Sequence, residues 1–218
     1  MDMMKVLLLC GCALLPIPAW ATTILILGDS LSAAYGIPVT KGWVSLLEKK
    51  LRQEQPEIRL VNASISGETT AGGLRRLPGL LKRHAPDILI IELGGNDGLR
   101  GIMPKQMESN LSTMIELAKA EKVKVLLLGM KIPSNYGPQF SGQFEEVYRQ
   151  LAKRHDLAFV PFFLAGVALD AALMQNDGIH PNVDAQPLLA ERVRKALVPL
   201  MDGTRASRAL PTAERTKK

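Results

Sequence analysis

Five short apolar runs alternating with five longer amphipathic segments predict an α/β fold. The expected architecture is a three-layer α/β/α sandwich around a five-stranded parallel sheet. The runs at 24–27, 58–61, 88–91, 123–128 and 157–162 are rich in Ile, Leu and Val with little polar alternation. Strands covered on both faces read this way. Between and after them, residues 43–55, 74–84, 106–122, 144–154 and 183–200 carry helical spacing. Strand and helix repeating in this order give a parallel sheet, because right-handed crossovers lay helices on both of its faces. No internal repeat, low-complexity stretch or linker interrupts the body, so one domain over 22–201 is expected.

The two ends differ from the body. Lys5, an apolar run over 6–15 and the small-x-small series Ala19-Trp20-Ala21 read as a cleavable secretory signal over 1–21. Pro16 and Pro18 end that run well short of the roughly 20 residues that span a bilayer. An uncleaved anchor, or a lipid-modified Cys10 or Cys12, are the alternatives. The expected location is the periplasm or beyond. These are the chain's two cysteines; once the signal is removed, a disulfide framework, a cysteine nucleophile and a cysteine metal site are all excluded. From 202 to 218 the apolar period disappears. Five cations (Arg205, Arg208, Arg215, Lys217, Lys218) face two anions (Asp202, Glu214), a net +3 of the total +6. A solvated, disordered basic tail is expected there, with contact to an acidic membrane face as the alternative. The remaining charge is too small and scattered for a nucleic-acid surface.

In parallel α/β folds ligands sit beyond the carboxyl ends of the strands, and polar clusters fall at those ends here. They are Gly28-Asp29-Ser30-Leu31, residues 62–69 from Asn62 to Thr69, Gly94-Gly95-Asn96-Asp97, and Asp177-Gly178-Ile179-His180-Pro181. Of three histidines, His84 and His155 each follow a Lys-Arg pair at a helix end, where cations complement the dipole. His180 alone lies in a polar turn, three residues after Asp177. One loop could thus supply a base and the carboxylate that fixes its tautomer. It could equally be a turn that Asp177 caps. Ser30 fits either a helix cap or a nucleophile at a strand end. Gly67 and Asn96 fit either turn chemistry or donors for an oxyanion. Considered together, the four clusters favour a site, since four separate turn explanations would otherwise have to hold. The Gly-x-Ser-x-Gly elbow, the dinucleotide glycine fingerprint and the phosphate-loop lysine motif are all absent from the sequence.

These four blocks, in this order over about 23–200, resemble the SGNH (GDSL) hydrolases, and within them the multifunctional periplasmic thioesterase/lysophospholipase/arylesterase branch. The resemblance implies a flavodoxin-like sheet and a serine esterase or thioesterase acting on aryl esters, acyl thioesters and lysophospholipids. It implies Ser30 as nucleophile, His180 as base and Asp177 as its partner. The oxyanion hole would be the Ser30 and Gly67 N–H groups and the Asn96 side chain. No metal or organic cofactor is implied, and a monomer acting on a small-molecule substrate is expected. The loop after Asn96 is, in that branch, a switch that accommodates acyl chains. Leu99 and Ile102 on it, with Pro133, Tyr136, Phe140 and Ile179 opposite, are the candidate acyl-binding residues. A preference for medium or long acyl chains follows. An exported carbohydrate deacetylase is the alternative on the same fold, and a non-catalytic binding protein a remoter one.

Overall fold

The computed structural model describes residues 22–209. Five parallel strands are present among them: β1 (Thr23–Gly28), β2 (Arg59–Asn62), β3 (Ile88–Glu92), β4 (Lys124–Leu128) and β5 (Ala158–Val160), in spatial order β2-β1-β3-β4-β5. Five long helices accompany them: α1 (Trp43–Glu54), α2 (Thr70–His84), α4 (Pro104–Ala120), α5 (Pro138–His155) and α6 (Gln186–Ala209), with a one-turn helix α3 (Gly95–Leu99) after β3. Helices α1 and α6 pack together on one face, and α2, α4 and α5 on the other. Each strand and each long helix expected from the apolar pattern is present, with shifted ends.

The pattern follows from burial. Strands β1, β3 and β4 are the inner strands, and Ile24–Leu27 of β1 and Ile88–Ile91 of β3 are wholly inaccessible to solvent. Lacking an exposed face, they carry no polar alternation. Helix α1 turns Trp43, Val44, Leu47 and Leu51 inward, a single stripe at helical spacing. Trp43 meets Phe163 edge-on with ring centroids 5.5 Å apart, a geometry worth about 0.5–1.5 kcal/mol beyond burial.

Three helices have ends that differ markedly from expectation. Helix α2 begins at Thr70 rather than 74, because the Thr69 side chain caps it by accepting from the Gly72 N–H; the apolar spacing begins only inside the helix. Helix α5 begins at Pro138, where proline's missing N–H costs a first turn nothing. Helix α6 starts at Gln186 and runs to Ala209, past the boundary expected at 201. The first part of the basic segment therefore continues the helix. The expected signal at 1–21 and the end of the expected tail lie outside the described residues.

Candidate active site

The strand order places β1 beside β3, and the chain leaves these two strands toward opposite faces of the sheet. A crevice opens at such a switch point. Cα partners Gly28 and Glu92 mark the last rung of that pair. Beyond it, residues 30–36 form a series of turns in which Tyr35 donates its N–H to the Ser30 carbonyl at 3.1 Å. No α-helix starts there, since α1 waits until Trp43. Ser30 therefore caps no helix, which removes the structural explanation for it.

Ser30 Oγ lies 2.9 Å from His180 Nε2, and His180 Nδ1 lies 2.6 Å from Asp177 Oδ2. Asp177 can only accept, so Nδ1 donates to it and Nε2 is left to accept from the Ser30 hydroxyl. The other Asp177 oxygen accepts the N–H groups of Ile179 and His180, each at 2.9 Å. The backbone N–H of His180 is the chief cause holding the Asp177 carboxyl down at about 2. Asp177 thus both caps its turn and supports the imidazole; the two readings open in the sequence are one structure.

The oxyanion candidates come to the same rim. Gly67 has φ +78, a left-handed conformation that glycine adopts without strain. Its carbonyl, in the peptide that follows, accepts from Arg100 Nη2 at 3.0 Å, which ties this turn to the end of α3. No hydrogen bond within the described residues uses the Ser30 or Gly67 N–H. Asn96 sits in the first turn of α3 and donates one Nδ2 hydrogen to Asp29 Oδ2 at 2.9 Å. The second hydrogen of that amide remains for a ligand. Gly94, which opens α3, has φ +115, and a Cβ there would collide with the Tyr148 hydroxyl.

Beneath these groups lies a buried polar layer that the sequence reading passed over. Asp29 is 2% exposed and Glu92 fully buried. Asp29 Oδ1 accepts from the Leu31 N–H at 3.1 Å, and Glu92 Oε2 accepts from the Ser32 hydroxyl at 2.7 Å and the Asp29 N–H at 3.3 Å. Desolvation pushes Asp29 up to about 6. Desolvation, followed by the Asp29 charge, pushes Glu92 well above the carboxylate range. Burial thus favours the protonated form of both carboxyls, Glu92 more than Asp29, and Asp29 Oδ2 accepts the bond that orients Asn96. A charged residue closing an otherwise apolar strand was the available signal. Asp97, also fully buried, accepts from the Thr70 N–H at 2.8 Å and so ties α3 to the start of α2.

The six candidate acyl-binding residues divide. Tyr136 donates its hydroxyl to the Leu99 carbonyl at 2.8 Å and stacks on Phe140 with centroids 6.3 Å apart. Leu99, Tyr136 and Phe140 are thereby linked across the gap between α3 and α5. Ile102 is half-buried, while Pro133 and Ile179 are exposed. A cleft of about 880 Å³ opens instead on the Asp177 side, its walls including Tyr35, Ile37, Met174, Gln175 and Val183, and none of the six lines it. Among the described residues no three His, Cys, Asp or Glu side chains are grouped as metal ligands would be.

A hydroxyl, an imidazole and a carboxylate in one hydrogen-bonded line, at the carboxyl end of a parallel sheet, have the geometry of a serine-dependent acyl hydrolase. Residues 26–186 match the GDSL-like Lipase/Acylhydrolase family, and the chain belongs to that family. It is 52% identical to "Esterase TesA" of Pseudomonas aeruginosa over 91% of this chain and 100% of that one. It is 47% identical to "Thioesterase 1/protease 1/lysophospholipase L1" of Escherichia coli K12, over 84% and 87% of the two chains. The crystal structure of TesA superposes with a TM-score of 0.80 at 52% identity, covering 82% of this chain and 99% of that one.

Proposed function

We propose that the chain hydrolyses carboxylic esters and thioesters by two-step acyl transfer, with Ser30 as nucleophile, His180 as general base and Asp177 as its support. The observation that carries this reading is the unbroken line Ser30 Oγ–His180 Nε2, His180 Nδ1–Asp177 Oδ2, at 2.9 and 2.6 Å. In the first step Ser30 Oγ bonds to the acyl carbon while its proton passes to His180 Nε2. The carbonyl oxygen takes the negative charge between the Ser30 N–H, the Gly67 N–H and Asn96 Nδ2. As the tetrahedral species collapses, the bond to the leaving oxygen or sulfur breaks and His180 delivers the proton to it. Water then attacks the acyl-enzyme with His180 again as base, releasing the acid and restoring Ser30. The charge that develops on the imidazole faces Asp177, which is ionised throughout the neutral range.

The names of its relatives, an esterase and a thioesterase/lysophospholipase, support this substrate class. The exposed Tyr136 and Ile179 and the Leu99–Tyr136–Phe140 link support an acyl chain of medium or long length lying between α3 and α5. No helix among the described residues is long and apolar enough to cross a membrane. The reading includes export to the periplasm or beyond, action as a monomer, and no nucleic-acid partner. The test is a p-nitrophenyl ester series from acetyl to palmitoyl on wild type and Ser30→Ala. Turnover should rise with chain length in wild type and vanish in the variant. A flat series would remove the acyl-length part, and activity in Ser30→Ala would remove the whole.

A further inference from the structure

Ser30 and His180 lie 150 residues apart in sequence, and the segment that carries Asp177 and His180 has little regular structure of its own. Its internal frame is a Met174–Pro181 antiparallel bridge. Gln175 closes that frame twice with backbone atoms: its N–H donates to the His180 carbonyl at 2.7 Å, and its carbonyl accepts from the Gly178 N–H at 2.9 Å. The frame is tied outward by Gln186, whose side chain donates to the Asn182 carbonyl at 3.0 Å and accepts from the Trp43 N–H at 3.0 Å. That tie reaches α1, not the turn holding the nucleophile.

The Gln175 side chain makes the missing connection. Its Nε2 donates to the Tyr35 carbonyl at 2.8 Å and to the Pro181 carbonyl at 3.1 Å. One amide thus spans the turn after Ser30 and the residue after His180, with both hydrogens used. Apart from the Ser30–His180 contact itself, this is the one side-chain hydrogen bond among the described residues that joins the two segments. Tyr35 passes the connection on in two ways. Its N–H holds the Ser30 carbonyl at 3.1 Å, and its ring lies against His180 with centroids 4.5 Å apart. Gly36, at φ +74, leaves room for the amide; a Cβ there would strike Gln175 Oε1.

We propose that Gln175 is a positioning residue for the acyl transfer, its side-chain amide clamping the His180 loop to the Ser30 turn and so setting the approach of Nε2 to Oγ. This rests on the reading of Ser30 and His180 given above. Reacting groups displaced by about an ångström lose on the order of 100-fold in rate. Gln175→Met keeps the length of the side chain and removes both donors, and it should lower kcat roughly 10- to 100-fold with KM within about twofold.

The full chain is assayed with a p-nitrophenyl ester, with kcat expressed per titrated active site so that misfolded enzyme does not enter. The rate of covalent reaction with a fluorophosphonate is followed in parallel, and it should fall with kcat. Gly36→Ala supplies the independent check. In wild type its new methyl group displaces the amide, whereas in Gln175→Ala that seat is empty, so the Gly36→Ala loss in kcat should shrink at least threefold in the second background. Unchanged kcat and labelling rate in Gln175→Met, or strict additivity of the Gly36 and Gln175 effects, overturns the proposal. Absence of Ser30-dependent labelling in wild type overturns instead the serine-hydrolase reading beneath it.

Discussion

Replacing Asp29 by Asn tests the buried layer beneath the oxyanion candidates, and its magnitude can be worked from the structure. Asp29 is 2% exposed, and burial lifts its pKa from 3.8 to about 6. A rise of that size, at about 1.4 kcal/mol per unit, makes the ionised form cost about 3 kcal/mol in the folded protein. The sign follows from proton linkage. The folded state holds the Asp29 proton more tightly than the unfolded chain does, so the contribution is fully present below pH 3.8 and is lost as pH rises through about 6. In Asp29→Asn the amide cannot titrate, and this slope disappears. The variant also has one acceptor oxygen where two donors, the Leu31 N–H and Asn96 Nδ2, now bond to Asp29. Its own NH₂ must face one of them, at a cost of about 1–3 kcal/mol for the unsatisfied donor. Near pH 8 the gain and the loss roughly cancel; near pH 4 the variant is less stable than wild type. Denaturant unfolding of both proteins from pH 4 to pH 8 measures the difference. A stability difference that stays constant over that range refutes the assignment of a strained, buried charge at Asp29.

Other outcomes follow from the same geometry. Asn96→Ala, which removes one of the proposed oxyanion donors, should lower kcat roughly 10²–10³-fold with little change in KM, measured on a p-nitrophenyl ester. Asp177→Asn should lower kcat on the order of 10⁴-fold by letting the imidazole adopt the wrong tautomer. Because Asp177 is depressed from 3.8 to about 2, its support is complete above pH 3.8 and is lost only as pH falls through about 2. Asp177 should therefore add no proton to the acid limb of the wild-type kcat/KM profile above pH 4. Gly94→Ala forces a side chain onto a φ of +115 and against the Tyr148 hydroxyl, and it should cost about 2–4 kcal/mol in unfolding free energy.

Much of this was legible in the residues. Strands β1 and β3 are apolar without alternation because both faces are covered, and that single constraint reveals the sandwich. The placement of the loops carrying Ser30, Gly67, Asn96, Asp177 and His180 was legible because a parallel sheet gathers its strand-end loops at one rim. What stayed hidden depends on contacts across the chain. Glu92 reads as a charged end to an apolar strand, but its burial is decided by Gly28 opposite, whose missing side chain leaves the carboxyl room. Gln175 looks like one more polar residue in a turn, since its partner Tyr35 lies 140 residues away. Helix α6 passes the expected boundary at 201 because apolar periodicity reports burial, and a helical backbone does not require it.

The most direct test of the central claim is the site of covalent attack. The protein is treated with a fluorophosphonate, its intact mass is recorded, and the modified peptide is sequenced. One adduct per chain, on Ser30, absent from Ser30→Ala and formed far more slowly in His180→Ala, is the predicted result. No adduct, or an adduct on another residue that persists in Ser30→Ala, contradicts the account.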